Sequence, residues 1–354
     1  MNVVISNRTV ENCGIDTYAK CLIKGLPKFD DINIYRFEDR KLTGYSKQHS
    51  LYDKIMYFPR KIYRDKWVLP RYIETNSADI FHCTECYGIP NDLRCKIILT
   101  LHDIIPAYME NNFIKRYMWK RRVKDAINKA DAVVTVSNYS KRDIVNYFDI
   151  NQNNVHVIYE YADEDFKPIK EEECFKKIKR KYSLNKPYIL LIGGKDLRKN
   201  HERIVNIFKE RFIDKYQLVI LGGGYSFGVD DGSIIYPGYV SRADLVALYS
   251  NACLFVYPSL YEGFGLPVLE AMACGTPVVT SNTTSIPEVA GDSAILVNPI
   301  DDNEIALGME SVLESNDLRD KLIYLGMRRN EQFSKENMLK KYHQLYKDIL
   351  NINH

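Results

Sequence analysis

No stretch of this 354-residue chain approaches the roughly 20 consecutive apolar residues that a membrane-spanning helix needs. Its longer apolar segments, such as those at residues 96–101 and 252–257, have the length of strands. The N-terminal MNVVISNRTVENCG lacks the charged segment and following apolar core of a secretory leader, so none is expected. Charge of one sign is also missing: 49 Lys and Arg stand against 46 Asp and Glu, a balance of +3 that argues against a dedicated nucleic-acid binder. What surplus exists sits in the first 168 residues. A Gly-x-Gly-x-x-Gly fingerprint is absent, which argues against a dehydrogenase. There is no repeat of 20–50 residues and no low-complexity segment. The eight cysteines (Cys13, Cys21, Cys83, Cys86, Cys95, Cys174, Cys253 and Cys274) are scattered, as free thiols of a reducing cytoplasm would be. His82, Cys83, Cys86 and Cys95 in FHCTECYGIPNDLRC could form half a zinc site. No second Cys-x-x-Cys pair completes it, and Cys83 would face away from His82 if the strand continues. A strand end with incidental thiols is the plainer reading.

What the chain does contain is alternation. Short β-branched runs at residues 3–6, 32–37, 78–81, 96–101, 132–136 and 155–158 are separated by amphipathic stretches. A second series follows at 188–192, 217–221, 233–236, 253–257, 277–280 and 294–297. Strands alternating with helices imply an α/β protein with parallel sheets, and near-continuous apolar strands imply sheets covered on both faces. The pattern breaks once, in a charged stretch before Pro187. This divides the chain into a domain over residues 1–165, a linker with a short solvated helix over 166–187, and a second domain over 188–334. The final segment, 335–354, reads as a helix expected to pack back on the first domain.

In parallel sheets of this type, ligands bind beyond the carboxyl ends of the strands. The most informative such segment is YPSLYEGFGLPVLEAMACGTPVVTS, residues 257–281. A strand ends near Tyr257, a loop carries Gly263 and Gly265, and Pro267 presets the first turn of a helix that Gly275 stops. The amides of Phe264, Gly265 and Leu266 would then face out of a helix N-terminus, suited to phosphate or polar sugar groups. Glu262 and Glu270 flank that anion-favouring end, eight positions apart. Two carboxylates beside a phosphate site suit a ligand with diphosphate in the middle and hydroxyl-rich sugars on either side. LLIGGKDLRKN, residues 190–200, places Gly193, Gly194, Arg198 and Lys199 after a strand of the same domain. LTLHDIIP, residues 99–106, places His102 after a strand of the first domain, and NCGIDTYAKCL, residues 12–22, places Gly14 after the first strand.

These segments resemble the retaining glycosyltransferases of family 4, in particular the mannosyltransferase-like group 1 enzymes. The resemblance covers nearly the whole chain and is clearest over 96–158 and 188–300. It implies the GT-B fold, two Rossmann-like domains whose parallel sheets face a central cleft. It implies that Glu262 contacts hydroxyls of the transferred sugar, Glu270 the nucleotide ribose, and Arg198 and Lys199 the departing diphosphate. His102 would approach the donor sugar through its ring or carbonyl, and the segment around Val240 would lie by the base. The Gly14 loop would lie near the phosphates, although Cys13 stands where the family usually has Gly. A divalent metal and any other cofactor are expected to be unnecessary. The activity implied is transfer from a nucleotide diphosphate sugar to a saccharide or lipid-linked acceptor in surface polysaccharide synthesis. GDP-mannose is favoured as donor and a UDP-sugar is the alternative. A nucleotide-sugar epimerase or a non-catalytic sugar-binding scaffold subunit is the rival reading. Residues 38–75 match nothing familiar and are expected to hold acceptor specificity. Two basic stretches with interleaved aromatics, from Arg60 to Arg71 and from Lys115 to Lys124, suit the anionic inner face of a cell membrane. A solvated helix face with Trp119 in the core is the alternative for the latter stretch.

Overall fold

The computed structural model describes residues 1–7, 14–38, 62–86, 88–169, 171–194, 196–223 and 232–351. Cys13, Arg60 and most of the segment assigned to acceptor specificity lie outside these residues. The chain forms two compact units, Met1–Ile158 with Glu336–His354, and Tyr159–Lys335.

Each unit is built on a six-stranded sheet in which every pairing is parallel. In the first unit the strands are β1 (Asn2–Asn7), β2 (Asn33–Glu38), β3 (Ile80–Cys83), β4 (Lys96–Thr100), β5 (Ala132–Thr135) and β6 (Val155–Val157), in the order β2-β1-β3-β4-β5-β6. The second unit has β7 (Tyr188–Ile192), β8 (Gln217–Leu221), β9 (Ile234–Gly238), β10 (Leu254–Tyr257), β11 (Val278–Ser281) and β12 (Ile295–Val297), in the order β12-β11-β10-β7-β8-β9. Every expected strand is present. The central ones are buried on both faces, which is why their sequences read as unbroken apolar runs. In the second unit successive strands step one way from β7 and the other way from β10, so the loops leaving these neighbours diverge and open a crevice at the carboxyl edge. In the first unit the same switch falls between β1 and β3.

Residues 166–187, read above as a linker, lie within the second unit. The helix Glu172–Tyr182 buries Ile178 and anchors Lys181 and Tyr182 on Asp244, at 2.5 and 2.8 Å. The helix Lys335–Asn351 buries Met338, Leu339, Tyr342, Leu345, Tyr346 and Ile349, and all but its first residue belong to the first unit. Among the described residues, no helix is long and apolar enough to cross a membrane.

Candidate active site

Three loops at the carboxyl edge of the second sheet are tied to one another. The loop after β7 reaches a single 3-10 turn, Leu197–Lys199, and then Asn200, held in the left-handed region at φ 56°. From there the Asn200 amide donates to the carbonyls of Pro258, after β10, and Pro299, after β12, at 3.1 and 2.6 Å. The Leu260 amide donates to the Arg198 carbonyl at 2.8 Å. Gly193 is required for packing, since a Cβ there would lie 2.9 Å from Ile220 Cγ2. Gly194 is required for its φ of 108°.

This tying brings Arg198, Lys199 and Glu262 together. Oε1 of Glu262 accepts from Lys199 Nζ at 2.7 Å, Tyr257 OH at 2.8 Å and Ser259 Oγ at 2.7 Å. Its Oε2 lies 3.6 Å from Arg198 Nη1. Burial opposes ionisation of Glu262, but Lys199 and Arg198, with the hydrogen bonds from Lys199 and Ser259, hold it below the usual carboxylate range. Lys199 also bonds the Tyr257 hydroxyl, so two of its three donors are committed. Arg198 is turned toward Asp196, which takes Nε and Nη2, while Nη1 donates to the Tyr261 carbonyl at 2.8 Å. Two cations therefore face two carboxylates, and the cluster is neutral. Tyr257, Ser259 and Asp196 were not singled out from sequence. A hydroxyl at the end of an otherwise apolar strand was the available signal for Tyr257.

The helix Leu266–Ala273 starts within one residue of the expected position, with Gly265 at its N-terminus at φ 110°. A Cβ on Gly265 would come within 2.6 Å of Ile286 Cδ1. Ser285 Oγ lies 2.9 and 2.8 Å from the carbonyls of Glu262 and Phe264, fixing the turn from behind. The Phe264 ring packs against Tyr159 and Phe333, leaving only its backbone for a ligand. Gly263 and Leu266 complete this turn. Glu270 lies on the helix, 3.4 Å from Tyr249 OH. Burial pushes its carboxyl up to about 8, opposed by Arg242 and the Tyr249 hydrogen bond. Val240 follows β9, next to the exposed Tyr239 whose ring covers Gly223.

His102 and Gly14 belong to the first unit. The His102 carbonyl accepts from Thr135 Oγ1 at 3.2 Å, and its ring meets the Tyr18 ring edge-on. Gly14 opens the helix Gly14–Gly25 with open space where a Cβ would stand. His82 does not belong to a metal site: its ring nitrogens lie 2.6 Å from Tyr346 OH and 2.7 Å from Thr100 Oγ1. No group of three metal-ligating side chains exists among the described residues.

Two doubly wound units, one carrying a glycine-lined loop, a cation pair and a fixed carboxylate at its switch point, have the GT-B organisation of glycosyltransferases. The sequence model of Glycosyl transferases group 1 matches residues 174–329, and that of Glycosyltransferase Family 4 matches residues 13–166. The chain belongs to this glycosyltransferase family. It is 33% identical over 294 residues to the O-antigen chain mannosyltransferase B of Escherichia coli, covering 77% of this chain and 74% of that protein. Over 232 residues it is 32% identical to the O-antigen chain mannosyltransferase RfbU of Salmonella typhimurium, covering 62% of this chain and 61% of that protein. Sucrose-phosphate synthase from Thermosynechococcus elongatus shares the fold at a TM-score of 0.78 and 18% identity, over 98% of both chains. Anabaena HepE, solved with UDP-glucose, shares it at 0.74 and 15% identity, over 98% of this chain and 100% of that one.

Proposed function

We propose that this glycosyltransferase moves mannose from GDP-mannose, with retention of configuration and without a metal, onto a saccharide or lipid-linked acceptor of a surface polysaccharide. The mannosyltransferase names of its relatives support the sugar and the setting. The Glu262 cluster carries the rest. A carboxylate that accepts three hydrogen bonds on one oxygen and is held below its usual range is a poor nucleophile, which favours a route without a glycosyl-enzyme. The bond from the sugar's anomeric carbon to phosphate then breaks as the acceptor oxygen bonds on the same face, and the acceptor proton passes to the leaving phosphate. Glu262 positions sugar hydroxyls, Lys199 and Arg198 take up charge on the leaving group, and the first-turn amides of Gly265 and Leu266 hold phosphate. Glu270 binds the ribose, Val240 lies by the base, and His102 contributes to substrate binding from the first unit.

Lys199→Ala is expected to lower kcat by about 100-fold or more, as loss of an oriented charge donor does. Normal turnover in a GDP-mannose assay would remove the assignment. Activity should survive EDTA; loss that Mn²⁺ restores would overturn metal independence. Product formed without any acceptor would point to an epimerase instead.

We further propose that the first unit docks on an anionic bilayer at the cytoplasmic face of the membrane. On the helix Phe113–Lys129, Phe113, Ile114, Tyr117 and Met118 are exposed on one side, with Lys115, Lys120, Arg121 and Arg122 around them. Trp119 is not part of this face: it packs against Tyr147 and Phe148. Of the other stretch, Trp67 is 61% exposed while Arg64 is buried beside Asp65. Apolar side chains ringed by cations match a lipid interface with anionic headgroups. Co-sedimentation with phosphatidylglycerol vesicles, lost in Phe113→Ser/Tyr117→Ser, is expected; equal sedimentation with neutral vesicles would refute it.

A further inference from the structure

The first unit holds a run of buried polar side chains of its own. His82 on β3 is fully buried, with Tyr346 OH 2.6 Å from Nδ1 and Thr100 Oγ1 2.7 Å from Nε2. Burial drives the imidazole down to about 3, so it is neutral and must accept at one nitrogen and donate at the other. Thr100, the last residue of β4, is 3.3 Å from Tyr18 OH. Tyr18 in turn is hydrogen-bonded to Tyr342 OH. Tyr342 and Tyr346 are one turn apart on the helix Lys335–Asn351, so a single helix face delivers both hydroxyls to the carboxyl edge of the sheet.

The run ends at a residue with a different task. The Tyr18 ring stands edge-on to the His102 imidazole, with centroids 4.7 Å apart and planes at 75°. The His102 backbone is held by Thr135 Oγ1 on its carbonyl at 3.2 Å. The imidazole itself packs against the Tyr18 ring. Two hydrogen bonds on the Tyr18 hydroxyl fix that ring at its far end, one to Thr100 and one to Tyr342.

We propose that Tyr18 is a positioning residue for the His102 imidazole, and that the Tyr342 hydroxyl, reaching in from the C-terminal helix, holds Tyr18 in place. This rests on the assignment of His102 to substrate binding. Neither tyrosine touches the substrates in this scheme; both act through the histidine.

The test is a double-mutant cycle on Tyr342→Phe, Tyr18→Phe and His102→Ala, measuring kcat, donor KM and the imidazole ¹⁵N shifts of His102. Each hydroxyl deletion is expected to lower kcat by about two- to tenfold, the range that loss of a hydrogen bond gives, with donor KM unchanged. It should also move the His102 resonances. In the His102→Ala background the same deletions should have no further effect. A loss that persists in full in that background, or His102 shifts that do not move, overturns the proposal while leaving the role of His102 intact. Normal kcat and KM in His102→Ala would instead overturn the assignment on which the proposal rests. Both tyrosine variants retain the ring, so neither hydroxyl deletion opens a cavity of its own.

Discussion

Glu262 and Glu270 have the spacing of a matched pair, yet the structure sets them in opposite states. Glu262 is held below the usual carboxylate range because the charges of Lys199 and Arg198 and three hydrogen-bond donors converge on it. Glu270 has one long hydrogen bond and few cations, so burial dominates and lifts it to about 8. At neutral pH it keeps a proton that the unfolded chain, with a carboxyl near 4.5, has already released. The native state therefore binds more protons between these values, and stability must fall as pH rises from about 4.5 to about 8, levelling off above. The steepest slope this group alone can contribute is about 1.4 kcal/mol per pH unit. Thermal unfolding of Glu270→Gln across that range should show a flatter pH dependence than the parent chain. Identical profiles would show that the carboxyl is already ionised at neutral pH. Neither state was legible from spacing: Glu-x7-Glu marks the two positions, while the donors that distinguish them come from the turn after β7, from β10 and the loop after it, and from the helix Arg242–Asn251.

Elements were the most legible level of the chain. The central strands could be read because a parallel sheet covered on both faces leaves a strand no polar side to present, and the helix at Leu266–Ala273 could be read because Pro267 and Gly275 bracket it. What could not be read was which donors each loop residue would meet. Arg198 and Lys199 are adjacent in the sequence, but the turn at Leu197–Lys199 sends one to Asp196 and the other to Glu262. Trp119 and Trp67 likewise sit in similar basic surroundings, and only packing separates the half-buried ring from the exposed one. Gly265 is where element and site meet, since its positive φ turns the chain into the helix. Gly265→Ala places a side chain at φ 110° and against Ile286, which should cost about 1–3 kcal/mol and weaken donor binding together. Calorimetry with GDP-mannose would check both; unchanged affinity in a folded variant would mean the turn does not contact the donor.

At the scale of the molecule, the helix Lys335–Asn351 is the element that departs from chain order. Its Leu339 fills the space above Gly25, where even a Cβ would lie 2.5 Å from the leucine Cδ1. Leu339→Ala should destabilise the first unit by about 2–5 kcal/mol. Hydrogen exchange would then show faster opening of β1 and β3 with β7 and β10 unaffected; a uniform change would mean that the two units unfold as one. Membership of this helix in the first unit has a consequence for biosynthesis. Residues 336–351 leave the ribosome only after all of the second unit has been made, so the half begun first is the half finished last. Until then the surfaces that receive Tyr342 and Tyr346 wait without their helix, and the nascent first unit is the one that would need shielding by a chaperone.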